Sequence, residues 1–226
     1  MTRTVLITGA AGGIGQAVAK AFAEEGASLV LADLHPAEGI TRCDVSDEGD
    51  VEAACQTALD RFGSLDVIVN VAGMMIFKPL EDLTGLDWWQ AAGVNLFGPA
   101  FFIKHGFRRM KPGSSIVNVA SIHATQSTPL VASYAAAKAG LLALTRAAAI
   151  EGKPKGIRCN AVLPGAIDTP MLWSNPNLKS GAETIAESDV GKPAELAAAI
   201  RFLASPEASF ITGASLAVDG GRLAQL

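Results

Sequence analysis

Cysteine, aromatic residues and long apolar runs are all scarce in this sequence. The three cysteines form no Cys-x-x-Cys pair, which favours reduced core thiols over a disulfide framework. No group of His, Cys or Asp residues has metal-ligand spacing, so no metal is expected. No apolar stretch reaches the roughly 20 residues that cross a bilayer, and the N-terminal segment does not resemble a signal peptide. These absences predict a soluble, cytoplasmic protein.

Positive charge is scarce too. The net charge at pH 7 is -4, and no stretch of the chain is rich in Lys or Arg. A surface for nucleic acid or for an anionic membrane is therefore disfavoured. Apolar residues, in contrast, make up half of the 226 residues, enough for the core of a single α/β domain over residues 1–226. No repeat or linker divides this domain.

Short apolar runs alternate with helical patterns along the whole chain. The runs are continuous rather than alternating, which is typical of strands buried on both faces. We therefore predict a mostly parallel sheet covered by helices on both sides, the three-layer, doubly wound Rossmann fold. Strands are expected at 5–7, 28–32, 67–69, 115–120, 157–163 and 216–218, with a further short strand that ends near 43–45. Helices are expected at 14–25, 47–62, 86–110, 133–150 and 195–203, with the middle of the third left open by Gly93, Gly98 and Pro99.

A glycine-rich turn, from Thr8 to Gly15, joins the first predicted strand to the first helix. In this position backbone N–H groups and the positive end of the helix dipole can meet the pyrophosphate of a dinucleotide. Glycine is needed because a Cβ would block the tight turn and the approach of the phosphate. The strand before it and the helix after it distinguish this turn from an ordinary one. The expected contacts are Gly9, Gly12, Gly13, Ile14 and Gly15.

Asp33 ends the second predicted strand, 20 residues after Gly13. A carboxylate at this spacing can accept hydrogen bonds from the adenosine ribose hydroxyls, and it would repel a 2′-phosphate. The next two residues, Leu34 and His35, offer no Arg or Lys to hold such a phosphate. The sequence therefore predicts NAD rather than NADP as the cofactor.

Tyr134 and Lys138 are spaced i and i+4 on a predicted helix, so they share one face. A nearby positive charge lowers the pKa of a phenol from its usual value of about 10, as proton exchange with an alcohol requires. Ser121 follows a predicted strand at the carboxyl edge of the sheet, where ligands bind in this fold class. Its hydroxyl could hydrogen-bond a carbonyl oxygen that gains negative charge. These residues predict an oxidoreductase that uses Tyr134 as its acid/base.

Taken together, these motifs resemble the short-chain dehydrogenase/reductase family over nearly the whole chain. The resemblance also includes the motif Asn70-Val71-Ala72-Gly73, the pair Pro164-Gly165 and the terminal stretch Val218-Asp219-Gly220-Gly221. It implies an NAD-dependent enzyme that interconverts a secondary alcohol and a ketone or aldehyde. It also implies a homotetramer, the assembly that the family usually forms.

The resemblance assigns roles to individual residues. Tyr134 would be the acid/base, Lys138 would lower its pKa and bind the nicotinamide ribose, and Ser121 would position the substrate oxygen. Asn95 would hold a water that links the lysine to solvent. The remaining cofactor contacts would be Asp44 and Val45 at the adenine, Asn70, Ala72 and Gly73 at the adenosine side, and Pro164, Gly165, Ile167 and Thr169 towards the carboxamide.

Two departures from the family pattern stand out. Val71 replaces an asparagine of the usual Asn-Asn-Ala-Gly, so a role in bridging the sheet is expected to fall on Asn70. The distance from Asp33 to Asp44 is only 11 residues, which leaves a loop where most members fit a helix. We expect the adenine pocket to be more open here and NAD affinity to be weaker.

The substrate pocket is expected to be mostly apolar with one or two polar groups. A lid over the cofactor is predicted at 168–191, and the substrate would be a small or medium hydroxy or keto compound, cyclic compounds included. A protein that only senses NAD(H) remains an alternative, although it would not need Ser121, Tyr134 and Lys138 together. An epimerase or a structural assembly protein fits less well, since the former normally has a substrate domain and the latter needs none of these motifs. The candidate pocket residues are Ser121, His123, Met75 and Trp173, with Met74, Gln126 and Met171 beside them.

Overall fold

The computed structural model describes residues 2–181 and 183–225. Its centre is a seven-stranded sheet in the order β3-β2-β1-β4-β5-β6-β7, in which every neighbouring pair of strands is parallel. The Rossmann architecture predicted from the continuous apolar runs is confirmed. The strands are β1 (Thr4–Thr8), β2 (Ser28–Asp33), β3 (Ile40–Arg42), β4 (Val67–Asn70), β5 (Ser115–Val119), β6 (Arg158–Pro164) and β7 (Ser215–Val218).

Helices cover both faces of this sheet. Alternate residues of β1 point to opposite sides: Leu6 belongs to one apolar core, and Val5 and Ile7 belong to the other. The first core is completed by α2, α4 and part of α5, the second by α1 and α8. The α-helices are α1 (Gly13–Glu24), α2 (Glu48–Phe62), α3 (Gly85–Ala92), α4 (Gly98–Arg109), α5 (Ala132–Gly152), α6 (Pro170–Trp173), α7 (Pro176–Lys179) and α8 (Pro193–Ala204).

The helix predicted at 86–110 forms as two α-helices joined by a π-helical segment, Gly93–Phe97. The glycines and the proline that left its middle open lie in this segment or at the start of α4. A π-helical turn widens the backbone locally and often marks a functional position. Here it carries the fully buried Asn95.

The third strand lies earlier than predicted. β3 ends at Arg42, because its register with β2 pairs Arg42 with Asp33, the last residue of that strand. Asp44 then turns the chain towards α2, its carboxylate accepting hydrogen bonds from the backbone N–H and the hydroxyl of Ser46. The prediction that the strand ends near 43–45 was therefore wrong by about one to three residues. The link between β2 and β3, residues 34–39, contains no helix, as the short spacing suggested.

All three cysteines are free and buried. Burial raises the pKa of each thiol to about 12, which fits their predicted role as reduced core residues. Within the described part of the chain, no helix is long and apolar enough to cross a membrane. The cytoplasmic location remains a prediction.

Candidate active site

A cavity of about 520 Å³ opens at the carboxyl edge of the sheet. It runs from the glycine turn after β1, past the ends of β4, β5 and β6, to the segment before α8 and the C-terminal turn. Ligands of open α/β sheets bind at this edge, where the strand order reverses. Here the reversal lies between β1 and β4, beside the glycine turn.

The glycine turn is packed too closely for side chains. Gly9 has a φ of +63°, and an ideal Cβ on Gly15 would lie 2.1 Å from the carbonyl oxygen of Gly9. In the described chain, the N–H groups of Gly13, Ile14 and Gly15 have no acceptor, as expected for the first turn of a helix. These N–H groups and the helix dipole suit the phosphates of a dinucleotide. All five predicted contacts of the turn line the cavity.

Asp33 lines the same cavity from the end of β2. One carboxylate oxygen accepts a hydrogen bond from the backbone N–H of Ala11 at 3.0 Å, and the other accepts one from that of His35 at 3.0 Å. These two bonds fix the orientation of the carboxylate relative to the glycine turn. Each oxygen keeps a lone pair that could accept a hydroxyl hydrogen.

Tyr134 and Lys138 lie in the middle of the cavity, both buried, on the first turns of α5. The Lys138 ammonium donates a 2.7 Å hydrogen bond to the carbonyl oxygen of Val119 and lies 5.6 Å from the centre of the Tyr134 ring. Ser121, just beyond β5, lines the cavity as well, and its hydroxyl oxygen accepts a hydrogen bond from the N–H of His123. The structure thus brings together the three residues whose spacing predicted a reaction site.

The pKa of Tyr134 is shifted in the direction opposite to the prediction. Burial raises the pKa of its phenol to about 12, and the hydrogen bond with Ser121 lowers it by less. Burial also lowers the pKa of Lys138 to about 7. Desolvation disfavours the charged form of both groups, and at Tyr134 it outweighs the lowering by Ser121.

Asn95 is held by three hydrogen bonds from its side-chain amide. Its nitrogen donates to the carbonyl oxygens of Met74 and Ala91, both at 2.9 Å, and its oxygen accepts from the N–H of Met74 at 3.3 Å. Gly73, the residue before Met74, lies between Asn95 and Lys138. An ideal Cβ on Gly73 would be 3.2 Å from the side-chain oxygen of Asn95 and 3.6 Å from the side-chain nitrogen of Lys138. Asn95 therefore fixes the chain after β4 beside the lysine, and the predicted water remains a prediction.

The sheet-bridging role predicted for Asn70 is visible. Its side-chain nitrogen donates a 2.8 Å hydrogen bond to Asn118 on β5, and Asn118 donates in turn to Thr145 on α5 at 2.9 Å. Because the Asn70 side chain points along this buried chain, it does not line the cavity. The backbone N–H groups of Val71 and Ala72 both donate to the hydroxyl of Thr8. These bonds tie the end of β4 to β1 beside the glycine turn.

Several predicted residues lie outside the cavity as the structure defines it. Asp44 and Val45 do not line it, and neither does Asn95. Trp173 is 54% exposed and its indole N–H donates to Asp168 at 2.8 Å, so its side chain is turned away from the predicted pocket. Met74 and Gln126 do not line the cavity either. Besides the glycine turn, Asp33, Ser121, Tyr134 and Lys138, the predicted residues that line it are Ala72, Gly73, Met75, His123, Pro164, Gly165, Ile167, Thr169 and Met171.

Backbone hydrogen bonds hold the two ends of the predicted lid, 168–191, together. The N–H of Asp168 donates to the carbonyl oxygen of Gly191, and the N–H of Gly191 donates to that of Ala166, both at 2.9 Å. Between these ends the segment forms α6 and α7 and contributes part of the cavity wall.

Sequence reasoning missed two charged residues of the cavity, Glu183 from this segment and Arg222 from the C-terminal turn. They form an ion pair. Arg222 comes directly after the motif at 218–221, so its position next to that motif was the one available signal.

Comparison with known proteins agrees with this arrangement. A family model described as Enoyl-(Acyl carrier protein) reductase matches residues 9–222. The chain is 42% identical over 244 residues to the cis-4-hydroxycyclohexanecarboxylate dehydrogenase of Sinomonas cyclohexanicum, with 98% of this chain and 97% of that protein covered. The chain belongs to the short-chain dehydrogenase/reductase family.

Two solved structures are similar across the whole fold of this dehydrogenase/reductase. The aldohexose dehydrogenase of Thermoplasma acidophilum has a TM-score of 0.92 at 34% identity, with 100% of this chain and 95% of that chain covered. The 3-ketoacyl-(acyl-carrier-protein) reductase from Brucella melitensis, complexed with NADH, has a TM-score of 0.86 at 33% identity, with 97% and 98% covered. The protein is an oxidoreductase that acts on CH–OH groups, and its family uses NAD or NADP.

Proposed function

We propose that this dehydrogenase uses NAD(H) to interconvert a ring secondary alcohol and the corresponding ketone, with Tyr134 as the acid/base. The observation that carries the proposal is the burial of Tyr134, Lys138 and Ser121 in the same cavity as the glycine turn. A buried ammonium and a buried phenol cost stability, and a role in chemistry accounts for keeping both.

The cofactor would lie along the glycine turn and the strand ends. Backbone N–H groups at the start of α1 would hold its phosphates, Asp33 its adenosine ribose, and Lys138 its nicotinamide ribose. The backbone around Pro164, Gly165 and Ile167, with the Thr169 hydroxyl, would face the carboxamide. Bound NAD+ supplies the acceptor for the hydride that leaves the alcohol carbon, together with a positive charge.

The shortness of residues 34–39 favours an open adenine side and weaker NAD binding than in relatives with a helix there. Asp44 and Val45 follow that segment in the chain, and we propose that they contact the adenine.

Tyr134 would exchange a proton with the oxygen atom of the substrate. In oxidation the phenolate takes the hydroxyl proton while the hydride leaves the neighbouring carbon, and in reduction the phenol returns a proton to the carbonyl oxygen. The Ser121 hydroxyl donates a hydrogen bond to the same oxygen, where negative charge develops. While Lys138 is protonated, its charge favours the phenolate, and Asn95 holds the chain beside that lysine.

The choice of a ring alcohol rests on the cavity walls and on the relatives. Met75, Met171 and Ile185 line the same cavity as Tyr134 and give it apolar walls, which suits a hydrocarbon ring. The relative at 42% identity is named for a hydroxylated cyclohexane carboxylate, and a similar structure is named for an aldohexose. Both names describe a ring, one apolar and one rich in hydroxyls.

The test is a substrate panel with NAD+, in which NADH absorbance is followed for cyclic alcohols, sugars, steroids and short hydroxy acids. We expect turnover of at least one ring alcohol and a loss of that turnover in Tyr134→Phe. NADH binding without turnover of any compound, together with no effect of Tyr134→Phe, would favour the alternative of an NAD(H)-sensing protein.

We further propose that the active form is a homotetramer. Strand β7 is one edge of the sheet and leaves Leu216 38% exposed, and Phe210, in the segment before β7, is fully exposed. An open apolar strand edge is a surface on which another chain can pack. Light scattering at micromolar concentration should give the mass of four chains, and a monomer would rule this assembly out.

A further inference from the structure

An ion pair that lines the cavity joins two segments that are far apart in the chain. Glu183 comes from the lid, 168–191, and Arg222 comes from the turn after β7. Both side chains line the cavity and are mostly buried, with exposed fractions of 14% and 25%. Proton transfer and cofactor binding as proposed above use neither residue, so the pair needs another explanation.

The position of Arg222 is fixed by a hydrogen-bonded turn that begins at Asp219. The carboxylate of Asp219 accepts hydrogen bonds from the N–H groups of Gly221 and Leu223, at 2.9 and 2.8 Å. The backbone of Arg222 itself donates to the carbonyl oxygen of Asp219. The residue before this turn, Val218, pairs with Pro164 at the end of β6. Arg222 is thereby attached to the strand end that faces the predicted nicotinamide position.

The hydrogen-bonding capacity of Arg222 is only partly used. A guanidinium carries five N–H donors in a planar fork that matches a carboxylate. One nitrogen contacts Glu183, and no other partner of this side chain exists among the described residues. Glu183 is held loosely on its other side, where its second oxygen accepts from Asn175 at 3.4 Å. Another carboxylate could therefore replace that of Glu183 without breaking a larger network.

His123 connects this pair to the reaction site. Its ring makes an edge contact with Tyr134 at 6.1 Å between centroids. Burial lowers the pKa of His123, the charge of Glu183 raises it and the charge of Arg222 lowers it, so this imidazole lies within electrostatic reach of the pair. Its buried Nδ1 has no partner within the described chain.

The surrounding walls decide between the possible polar ligands. Met75, Met171, Leu172 and Ile185 line the same cavity, and any hydroxyl of a sugar ring that faced these side chains would have no hydrogen-bond partner. A hydrocarbon ring that carries one anionic group matches the walls and the guanidinium together.

We propose that Arg222 binds a carboxylate of the substrate, at the end of the ring away from the reacting hydroxyl, and that Glu183 occupies this place when substrate is absent. The proposal rests on the proposed function, since it names the substrate class for the same cavity. Under this proposal Arg222 determines substrate specificity. Arg222 contributes to substrate binding, whereas Tyr134 acts on the opposite end of the substrate.

The test compares 4-hydroxycyclohexanecarboxylate, as both isomers, with its methyl ester, which has the same ring and no charge. The unmodified enzyme should prefer the acid. Arg222→Met should raise KM for the acid by roughly 10- to 100-fold, the range for a lost hydrogen bond to a charged group, and reduce the preference for the acid over the ester.

Glu183→Gln should lower KM for the acid, because the competing carboxylate is gone. A purely structural ion pair would instead give losses in both variants, for acid and ester alike. Arg201→Met is a matched control, since Arg201 forms an ion pair with Glu25 at 2.6 Å outside the cavity, and its acid/ester ratio should not change.

A binding measurement separates this proposal from the proposed function. Titration calorimetry with cyclohexanecarboxylate, which has no hydroxyl to oxidise, should give a dissociation constant that rises in Arg222→Met and falls in Glu183→Gln. Equal affinities in the three proteins, or no preference for acid over ester in the unmodified enzyme, would overturn the role of Arg222. Turnover of the ester that depends on Tyr134 would leave the proposed function intact in that case.

Discussion

The ammonium of Lys138 donates a 2.7 Å hydrogen bond to the carbonyl oxygen of Val119, the last residue of β5. This bond ties the helix that carries Tyr134 to the carboxyl edge of the sheet. It is the one hydrogen bond of the Lys138 side chain in the described structure, and burial lowers the pKa of the amine to about 7. The lysine is therefore placed for function at a cost in stability.

Lys138→Met should stabilise the fold at neutral and lower pH. The unfolded chain holds the lysine proton up to about pH 10.4 and the folded protein only to about pH 7. Stability therefore rises with pH between these values in the unmodified protein. We expect the variant to be more stable by roughly 2–5 kcal/mol at pH 6.5, with the difference fading near pH 10.5. Chemical denaturation at both pH values checks this, and a less stable variant at pH 6.5 would contradict it.

The cofactor preference should depend on Asp33. Asp33→Ala removes an acceptor for the ribose hydroxyls and the charge that repels a 2′-phosphate. The NADH-to-NADPH affinity ratio should fall by roughly 10- to 100-fold, measured by fluorescence titration of each nucleotide. Asp33→Asn is the control for fold, because its amide oxygen can still accept from Ala11 or His35. An unchanged ratio in Asp33→Ala would show that another residue sets the preference.

Gly15→Ala should disrupt the glycine turn. A Cβ there would lie 2.1 Å from the Gly9 carbonyl oxygen, and backbone atoms would have to move. We expect a loss of roughly 3 kcal/mol in stability together with weaker NADH binding. Gly85→Ala at the first residue of α3 is the matched control, since a Cβ there meets nothing within 4 Å. Equal behaviour of the two variants would argue against a tightly packed phosphate site.

The fold could be read from the sequence because its signals are local. Continuous apolar runs identified the buried strands, and Gly63 and Pro164-Gly165 marked where elements end. The error at β3 arose because the end of a strand depends on its pairing. Arg42 is the last residue of β3 that pairs with β2, and nothing in the run 43–45 shows this.

Part of the candidate active site could also be predicted, because its sequence signals are local too. Ser121, Tyr134 and Lys138 sit at fixed spacings on neighbouring elements, so their meeting followed from the topology. The direction of the Tyr134 pKa shift could not be predicted in this way, because the spacing shows the nearby charge and does not show the burial that raises the pKa. Glu183 and Arg222 are 39 residues apart, and only the folded chain shows that they meet.

The direction of the pH dependence follows from the Tyr134 pKa. Burial raises this pKa to about 12, so the phenol keeps its proton through the neutral range. Ketone reduction, which needs the phenol, should stay flat from pH 7 to 9, while alcohol oxidation, which needs the phenolate, should rise with pH. Tyr134 is the only tyrosine of the chain, so near-ultraviolet titration of the phenolate reports its pKa directly. Oxidation that falls with rising pH would contradict this role.

The most direct test of the account is the rate of Tyr134→Phe with a ring alcohol that the unmodified enzyme oxidises, with NADH affinity measured on the same preparation. Proton exchange through the phenol predicts a loss of kcat by about 100- to 10,000-fold, with NADH affinity within a factor of about three. A variant that keeps its rate while binding NADH normally would show that Tyr134 is not the acid/base.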